Sequence, residues 1–446
     1  MAKCGLGIFH FPLVVGQPPD FAQCPAGVVT RLPNRDLLER LGAIAGRLGT
    51  RSFLVGGPVR DLILGLPSPD LDVAVEDRSR EFGTAVAKEF GGRFVYHSRF
   101  LTGSVLSPLA SRLSPLAHID ITQTRTETYP RPAVLPQVKP ASIVADLARR
   151  DFSINAMALE ITPDSFGTFI DPYHGRDDLA CRRVRILHDR SFVDDPTRIF
   201  RCIRFAIRFG SAIEPDTLEL LRRAIEQRYP ALLTPERILY ELRLVCAEPL
   251  VLPMVEALIH ERVLEAAWRW TPPRGFLAGI AKLVRRAKSL GTVHKGTVPG
   301  FRAADLLFIY WLSVLPVTDR FPIRKEERDA AEAVAGFAKL RDKLKRKLKP
   351  SQIVQTLRSV PEPALRILAV LESRAASASI RAFLDSYSTV RIAATGADLR
   401  AAGLRPGPVY GEILDKLLFA RLDGRIRTVA DEHALLRRLA ARQKDA

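Results

Sequence analysis

The 446-residue chain is poor in the features that mark secreted, metal-stapled or membrane proteins. Its five cysteines (Cys4, Cys24, Cys181, Cys202 and Cys246) form no CxxC pair and follow no metal-ligand spacing. An odd set of unpaired thiols argues against a disulfide framework and points to reduced cysteines in a cytoplasmic protein. Long hydrophobic runs are missing too. The longest, LLFIYWLSVL at 306–315, is too short to span a bilayer and is predicted to be a buried helix. The opening MAKCGLGIFHFPLVVGQPPD has an apolar patch broken by His10 and Pro12 and no convincing cleavage site, so no membrane partner is expected. No fixed-period repeat and no low-complexity tract occurs. Acidic residues are the scarcer charge, with 49 Asp and Glu against 67 Lys and Arg, a net charge of +18. That excess favours a polyanionic partner, either nucleic acid or an anionic surface.

A hydrophobic content of 47% supports packed cores, and the length suggests about two to four folding units. Residues 1–30 read as an irregular arm. From 31 to about 175, helical segments such as NRDLLERLGAIAGRL alternate with strand-like runs at RSFLV, LDVAV, GRFVYH and AHIDIT. Beyond about 180, strand signals largely stop. Helical periodicity then runs to the end, broken near Pro230, Pro272, Pro299, Pro316, Pro350 and Pro406. The fold class expected is α+β: an α/β head, a helical neck at 176–250, and an all-α body and tail at 251–446.

Residues 53–75, FLVGGPVRDLILGLPSPDLDVAV, set two glycines, an arginine and two aspartates between apolar runs. FLV reads as a strand and VRDLILG as a short helix, with Pro58 in its first turn. Gly56 and Gly57 let the backbone approach a ligand, a helix start directs N–H groups at anions, and Arg60 could add a guanidinium contact. On the following strand, Asp70 and Asp72 share one face. Two adjacent carboxylates call for a cation, and hard oxygen ligands beside a phosphate site point to Mg²⁺. Either half alone is usually a turn or a strand-edge device; joined, they point to a site.

This stretch closely resembles the signature of the class II tRNA nucleotidyltransferase and bacterial poly(A) polymerase family, within the DNA polymerase beta superfamily. The resemblance implies a nucleotidyltransferase head. It also implies a third carboxylate from a nearby strand, for which HIDIT offers Asp120, placed with His118 and Thr122 on one face. Asp120 could complete the metal site or help take the proton of an attacking 3′-hydroxyl; an ordinary strand aspartate is the alternative.

RRDFSINAMAL (149–159) spaces Asp151 and Asn155 so that a helix would present them together. Read plainly it is a capped, salt-bridged helix start. It is similar to the family's RRDFTINA motif, which implies that Arg150, Asp151 and Asn155 contact sugar and phosphates and favour a ribose. In DDPTRIFRCIRFAIRFG (194–210), Asp195 reads as an N-cap with Pro196 after it. Arg198, Arg201, Arg204 and Arg208 fall on one helix face, a costly crowd unless an anion binds there. The segment resembles the family's EDxxR motif, with Asp194 for the usual glutamate. It implies that Asp195 and Arg198 act as an amino-acid template for the incoming base, and that Arg201 and Arg204 hold the triphosphate. Cytosine and adenine both pair an exocyclic amino donor with a ring-nitrogen acceptor, a pattern that carboxylate plus guanidinium complements. TPERILYEL (234–242) matches the family's ERIxxE helix. Alone it is a capped helix with an Arg237–Glu241 pair, and it is read as a buttress for the template helix.

KLRDKLKRKLKP (339–350) carries seven basic residues and one acid. Leu340, Leu344 and Leu348 form an apolar stripe at i+4 steps, leaving Lys339, Arg341, Lys343, Lys345, Arg346 and Lys347 to grip RNA phosphates or to be solvated. None of His260, His294 and His433 is followed by aspartate, so no HD phosphohydrolase is expected; His188-Asp189 is read as incidental. The resemblance covers residues 51–244. It implies CMP and AMP addition from CTP and ATP to the 3′ end of the tRNA acceptor stem. CC-only, A-only and poly(A) addition, or a catalytically silent RNA binder, are the rivals. The segment between Asp120 and Arg149 is a candidate for the flexible loop tied to the switch from C to A.

Overall fold

The computed structural model describes residues 34–68, 71–106, 118–290, 302–316 and 321–444. The expected 1–30 arm and Asp70 lie outside them. The described residues divide into two units, one running to 241 and taking in 256–271, the other formed by 242–255 and 272 onward.

The first unit is built on a seven-stranded sheet. Its strands are β1 (Ser52–Val55), β2 (Leu71–Val75), β3 (Arg93–His97), β4 (Thr102–Leu106), β5 (His118–Gln123), β8 (Ala158–Glu160) and β9 (Phe169–Ile170), with the β6–β7 hairpin (Arg125–Thr128, Gln137–Pro140) outside it. Their order is β3-β4-β5-β2-β1-β8-β9. β2 and β5 are parallel, and the other neighbours are antiparallel.

Helices α1 (Arg35–Leu48) and α3 (Ser79–Glu89) cover one face and bury Leu38, Leu41, Ile44, Phe82 and Val86. Each such side chain contributes roughly 1.5–3 kcal/mol by leaving water. The Phe94 ring fills the space beside Gly83 and Gly103, where an added Cβ would come within 2.2 and 2.5 Å of it. The Tyr96 hydroxyl meets that of Ser79 at 3.2 Å. Alternation along β3 therefore turns Val95 and His97 to the opposite face. There, the Ile143–Ala148 helix closes a core of Phe53, Val55, Ala74, Ile143 and Leu147. The rest of that face stays open.

The second unit is helical, as the periodicity predicts. The 306–315 run lies largely in the Ala303–Leu312 helix, buried from Leu306 to Leu312. Phe276 stacks on Tyr310 with ring centroids 5.7 Å apart. Arg243 grips the buried Glu327 carboxylate through two bonds of 2.8 and 2.6 Å and lies 4.0 Å from the Phe308 ring centroid. A separate small core gathers Leu399, Ile413, Leu417 and Leu436. The expected single helix over 339–350 is not formed. A helix runs from Ala338 to Leu344, and the next starts at Pro350 after an extended Lys349. The helix stops four residues short of Leu348, and of the three leucines only Leu344 is fully buried; Lys349, before a proline, is extended as such residues usually are. Among the described residues no helix is long and apolar enough to cross a membrane.

Candidate active site

The parallel pairing of β2 and β5 puts Asp72 directly opposite Asp120, and the antiparallel β4 puts Ser104 opposite Asp120. Directly opposed residues share a sheet face, so Asp72, Asp120 and Ser104 form one row across the open face. The Ser104 hydroxyl donates to the Asp120 carboxylate at 2.5 Å and fixes its orientation. Both aspartates line a cleft of about 570 Å³. Two oxygen-only ligands in register at the floor of a polar cleft fit a hard divalent cation.

The opposite wall comes from the 149–151 and 195–201 segments, with Arg150, Asp151, Asp195, Arg198 and Arg201 lining the cleft. RRDFSINA does not form the expected α-helix. Phe152 bridges to Ile186, and only a 3₁₀ turn, Ser153–Asn155, follows. Asp151 and Asn155 still meet at 3.0 Å, while the other Asp151 oxygen accepts twice from Arg201, at 2.8 and 2.5 Å. Burial opposes the charge on Asp151, but Arg201, Asn155 and Arg198 outweigh it and hold the carboxyl down at about 2. Asn155 also accepts from buried Arg60 at 2.6 Å, and Arg60 pairs with Asp61. Arg60 and Asn155 thus stand behind the cleft wall. Gly56 has φ +73°, and a Cβ there would come within 2.6 Å of an Arg150 guanidinium nitrogen. The close approach predicted for this glycine is to a protein cation, and the Gly56 N–H is taken by the Met157 carbonyl at 3.2 Å. Gly57, first residue of the α2 helix (Gly57–Ile63), likewise does not line the cleft.

The helix expected to carry the template runs Thr197–Arg208. It begins one residue later than an Asp195 cap implies, yet Asp195 still accepts the Thr197 N–H at 3.0 Å. Arg198 donates to the Ser191 hydroxyl at 2.6 Å and the Arg149 carbonyl at 2.7 Å. The expected Arg237–Glu241 pair within the 234–242 segment is absent. Arg237 instead reaches Asp195 at 2.6 Å and the Ala133 carbonyl at 2.9 Å, while Glu241 pairs with Arg204 at 3.5 Å. The helix is a buttress, as read, but through partners 37 to 104 residues away. Arg204 is buried and is not among the residues that line the cleft. Burial pushes the Glu241 carboxyl up against the pull of Arg201 and Arg204.

Sequence reasoning missed a ring around this wall. Glu127 accepts from Arg125, Arg149 and the Tyr129 hydroxyl, and the fully buried Asp146 accepts from Arg149 and Arg150. Burial and the Glu127 charge raise the Tyr129 phenol above its usual value. The adjacent arginines of RRD were the one available signal, since each needs an acid. Residues 125–140 of the segment between Asp120 and Arg149 form the β6–β7 hairpin, whose Ala133 N–H reaches the Asp194 carbonyl at 3.3 Å. The basic residues 339–347 belong to the second unit.

Residues 52–185, the sheet with its carboxylate row, match the Poly A polymerase head domain, which makes this unit a nucleotidyltransferase head. The chain is 32% identical to the A-adding tRNA nucleotidyltransferase of Halalkalibacterium halodurans over 382 residues, 85% of this chain and 86% of its relative. It is 31% identical to the A-adding tRNA nucleotidyltransferase of Geobacter sulfurreducens over 92% of this chain, while spanning 47% of that protein. A solved CCA-adding enzyme, apo form II, superposes with a TM-score of 0.73 at 29% identity, covering 91% of this chain and 96% of the other. The chain belongs to the class II tRNA nucleotidyltransferase family and is an enzyme of that class.

Proposed function

We propose that the chain adds CMP and AMP from CTP and ATP to the 3′ end of tRNA, completing CCA without a nucleic-acid template. The observation that carries this reading is the shared cleft: the carboxylates Asp72 and Asp120 face the acceptor–donor pair Asp195 and Arg198. The pair is held from behind, Asp195 by Arg237 and Arg198 by Ser191 and the Arg149 carbonyl. A rigid carboxylate and guanidinium match the amino group and ring nitrogen of cytosine or adenine. Uracil and guanine would leave both groups unsatisfied, at about 1–3 kcal/mol each.

In the reaction, the RNA 3′-oxygen attacks the α-phosphorus, the new P–O bond forms, and the bond to the β-phosphate oxygen breaks in line. Pyrophosphate departs with the electron pair, and the hydroxyl proton leaves through Asp120 or solvent. Arg150 and Arg201 line the cleft as phosphate ligands, and the buried Arg150 Nε has no partner among the described residues. Asp70 and Asp72 would hold Mg²⁺, which supplies charge neutralisation at the reacting phosphate when bound.

A second reading, addition of the terminal A alone, is supported by two relatives named as A-adding that match over most of this chain, although a relative matched over 90% of it is named as CC-adding. Purified protein given CTP and ATP, separately and together, on tRNA lacking CCA, ending in C, or ending in CC separates the two. Completion of CCA on all three supports the first reading, and AMP addition only to the CC end the second. A long A tail, CC alone, or no incorporation would overturn both.

A further inference from the structure

Beside the carboxylate row lies a second polar row on the same open face. His97 on β3 is opposite Thr102 on β4, and Thr102 is opposite Thr122 on β5. All three line the cleft with Asp72 and Asp120. Among the described residues, neither the His97 imidazole nor the Thr102 and Thr122 hydroxyls have a side-chain hydrogen-bond partner, whereas Ser104 in the neighbouring row is committed to Asp120. Three unengaged polar groups in one row beside the carboxylates are available to a ligand.

Direction across the sheet says which ligand. Arg150 lies against Gly56, just past the end of β1, while His97 is on the edge strand β3. With the order β3-β4-β5-β2-β1, they are four strand spacings apart, roughly 19 Å at about 4.8 Å each. Asp72 and Asp120 occupy β2 and β5, two of the three strands between. In-line displacement requires the attacking and leaving oxygens on opposite sides of the phosphorus. With phosphate-binding cations on the β1 side, the attacking strand must arrive from the β4–β3 side.

We infer that His97 and Thr102, with Thr122, seat the 3′-terminal nucleotide of the acceptor RNA by hydrogen bonding to its ribose and phosphodiester. These groups are polar, uncharged or singly charged, and make no pattern that reads a base edge. They therefore suit an acceptor strand whose last base changes as the end grows. The inference rests on the proposed function, since it supplies the acceptor for that reaction.

The test is steady-state AMP addition to tRNA ending in CC by wild type, His97→Ala, His97→Gln and Thr102→Val. His97→Ala and Thr102→Val should each raise KM for tRNA about fivefold, the worth of one net hydrogen bond, and leave KM for ATP unchanged. His97→Gln, which keeps a donor, should recover part of the loss. An equal rise in KM for ATP, or an unmoved KM for tRNA, would overturn the assignment. In parallel, full-length wild-type protein is photo-crosslinked to a tRNA bearing a photoreactive group on its 3′-terminal ribose. Label on the 93–106 peptide supports the seat, and label confined to other peptides overturns it. If wild type adds no nucleotide, the proposed function fails, and the crosslink still decides where the RNA end lies.

Discussion

The Thr197–Arg208 helix and the 339–350 segment are both strongly basic, yet their charges live in different surroundings. In the first, Arg198 and Arg204 are 5% exposed, and Arg201 and Arg204 each meet a carboxylate from a distant segment, Asp151 and Glu241. In the second, Lys339, Lys343, Arg346 and Lys347 are exposed, Lys345 pairs locally with Asp342, and only Arg341 reaches a buried acid, Glu372. A buried guanidinium must be partnered or it costs several kcal/mol, so its geometry is fixed. An exposed ammonium keeps its water and its freedom. Fixed charges can discriminate between bases, whereas mobile ones can grip phosphates without reading sequence.

The comparison breaks hardest at the cleft floor. Asp72→Ala should lower nucleotide incorporation at least about a thousandfold, the scale of losing a charge-stabilising ligand at the reacting phosphate, with tRNA binding kept. Retained activity in a single-turnover assay would remove Asp72 from the site. Next is Asp151→Ala, which strands Arg201 and should cost about 3–5 kcal/mol in urea unfolding. The folded Asp151 carboxyl sits at about 2, below its ordinary 3.8. Its ionisation therefore stabilises the fold fully above the ordinary value, and that contribution falls away as pH drops from about 4 toward 2. The Asp151→Asn variant should show a flatter loss of stability across that window; an unchanged slope would mean another group governs it. Arg198→Ala should relax the preference for CTP and ATP over UTP and GTP by about tenfold and affect triphosphate affinity less. Selectivity that stays put would contradict the template role. The smallest effect belongs to Lys343→Ala and Lys347→Ala. Each should change stability by less than about 0.5 kcal/mol and lower the salt slope of tRNA binding by about 0.7–0.9. A slope that does not move would make these lysines a solvated face.

What was legible from residues alone is local. Alternation told which residues of LDVAV and HIDIT share a face, and three-residue spacing put the arginines of the template helix together. Glycine at 56 signalled a close approach, since φ +73° and a guanidinium at 2.6 Å exclude a side chain. Structure departs from local spacing where a distant partner competes. Arg237 and Glu241 are one helical turn apart, but each has a better-placed partner across the fold. Asp151 and Asn155 have helical spacing, yet a 3₁₀ turn brings them together. The helix expected from the leucine spacing stops at Leu344, and Lys349 before Pro350 is extended.

Periodicity is thus written into the chain because strand and helix repeats are short, and the residue types at those repeats limit the chemistry to carboxylates, guanidinium groups and glycine. Partnership is not written there. Asp72 faces Asp120 because β2 and β5 pair in parallel after a crossover of more than forty residues. Asp195 meets Arg237 across 42 positions, and Arg201 meets Asp151 across 50. Such contacts leave no repeat in the sequence. They form only when burial of the sheet and its helices brings the segments together, and the low dielectric there makes each buried charge find its opposite.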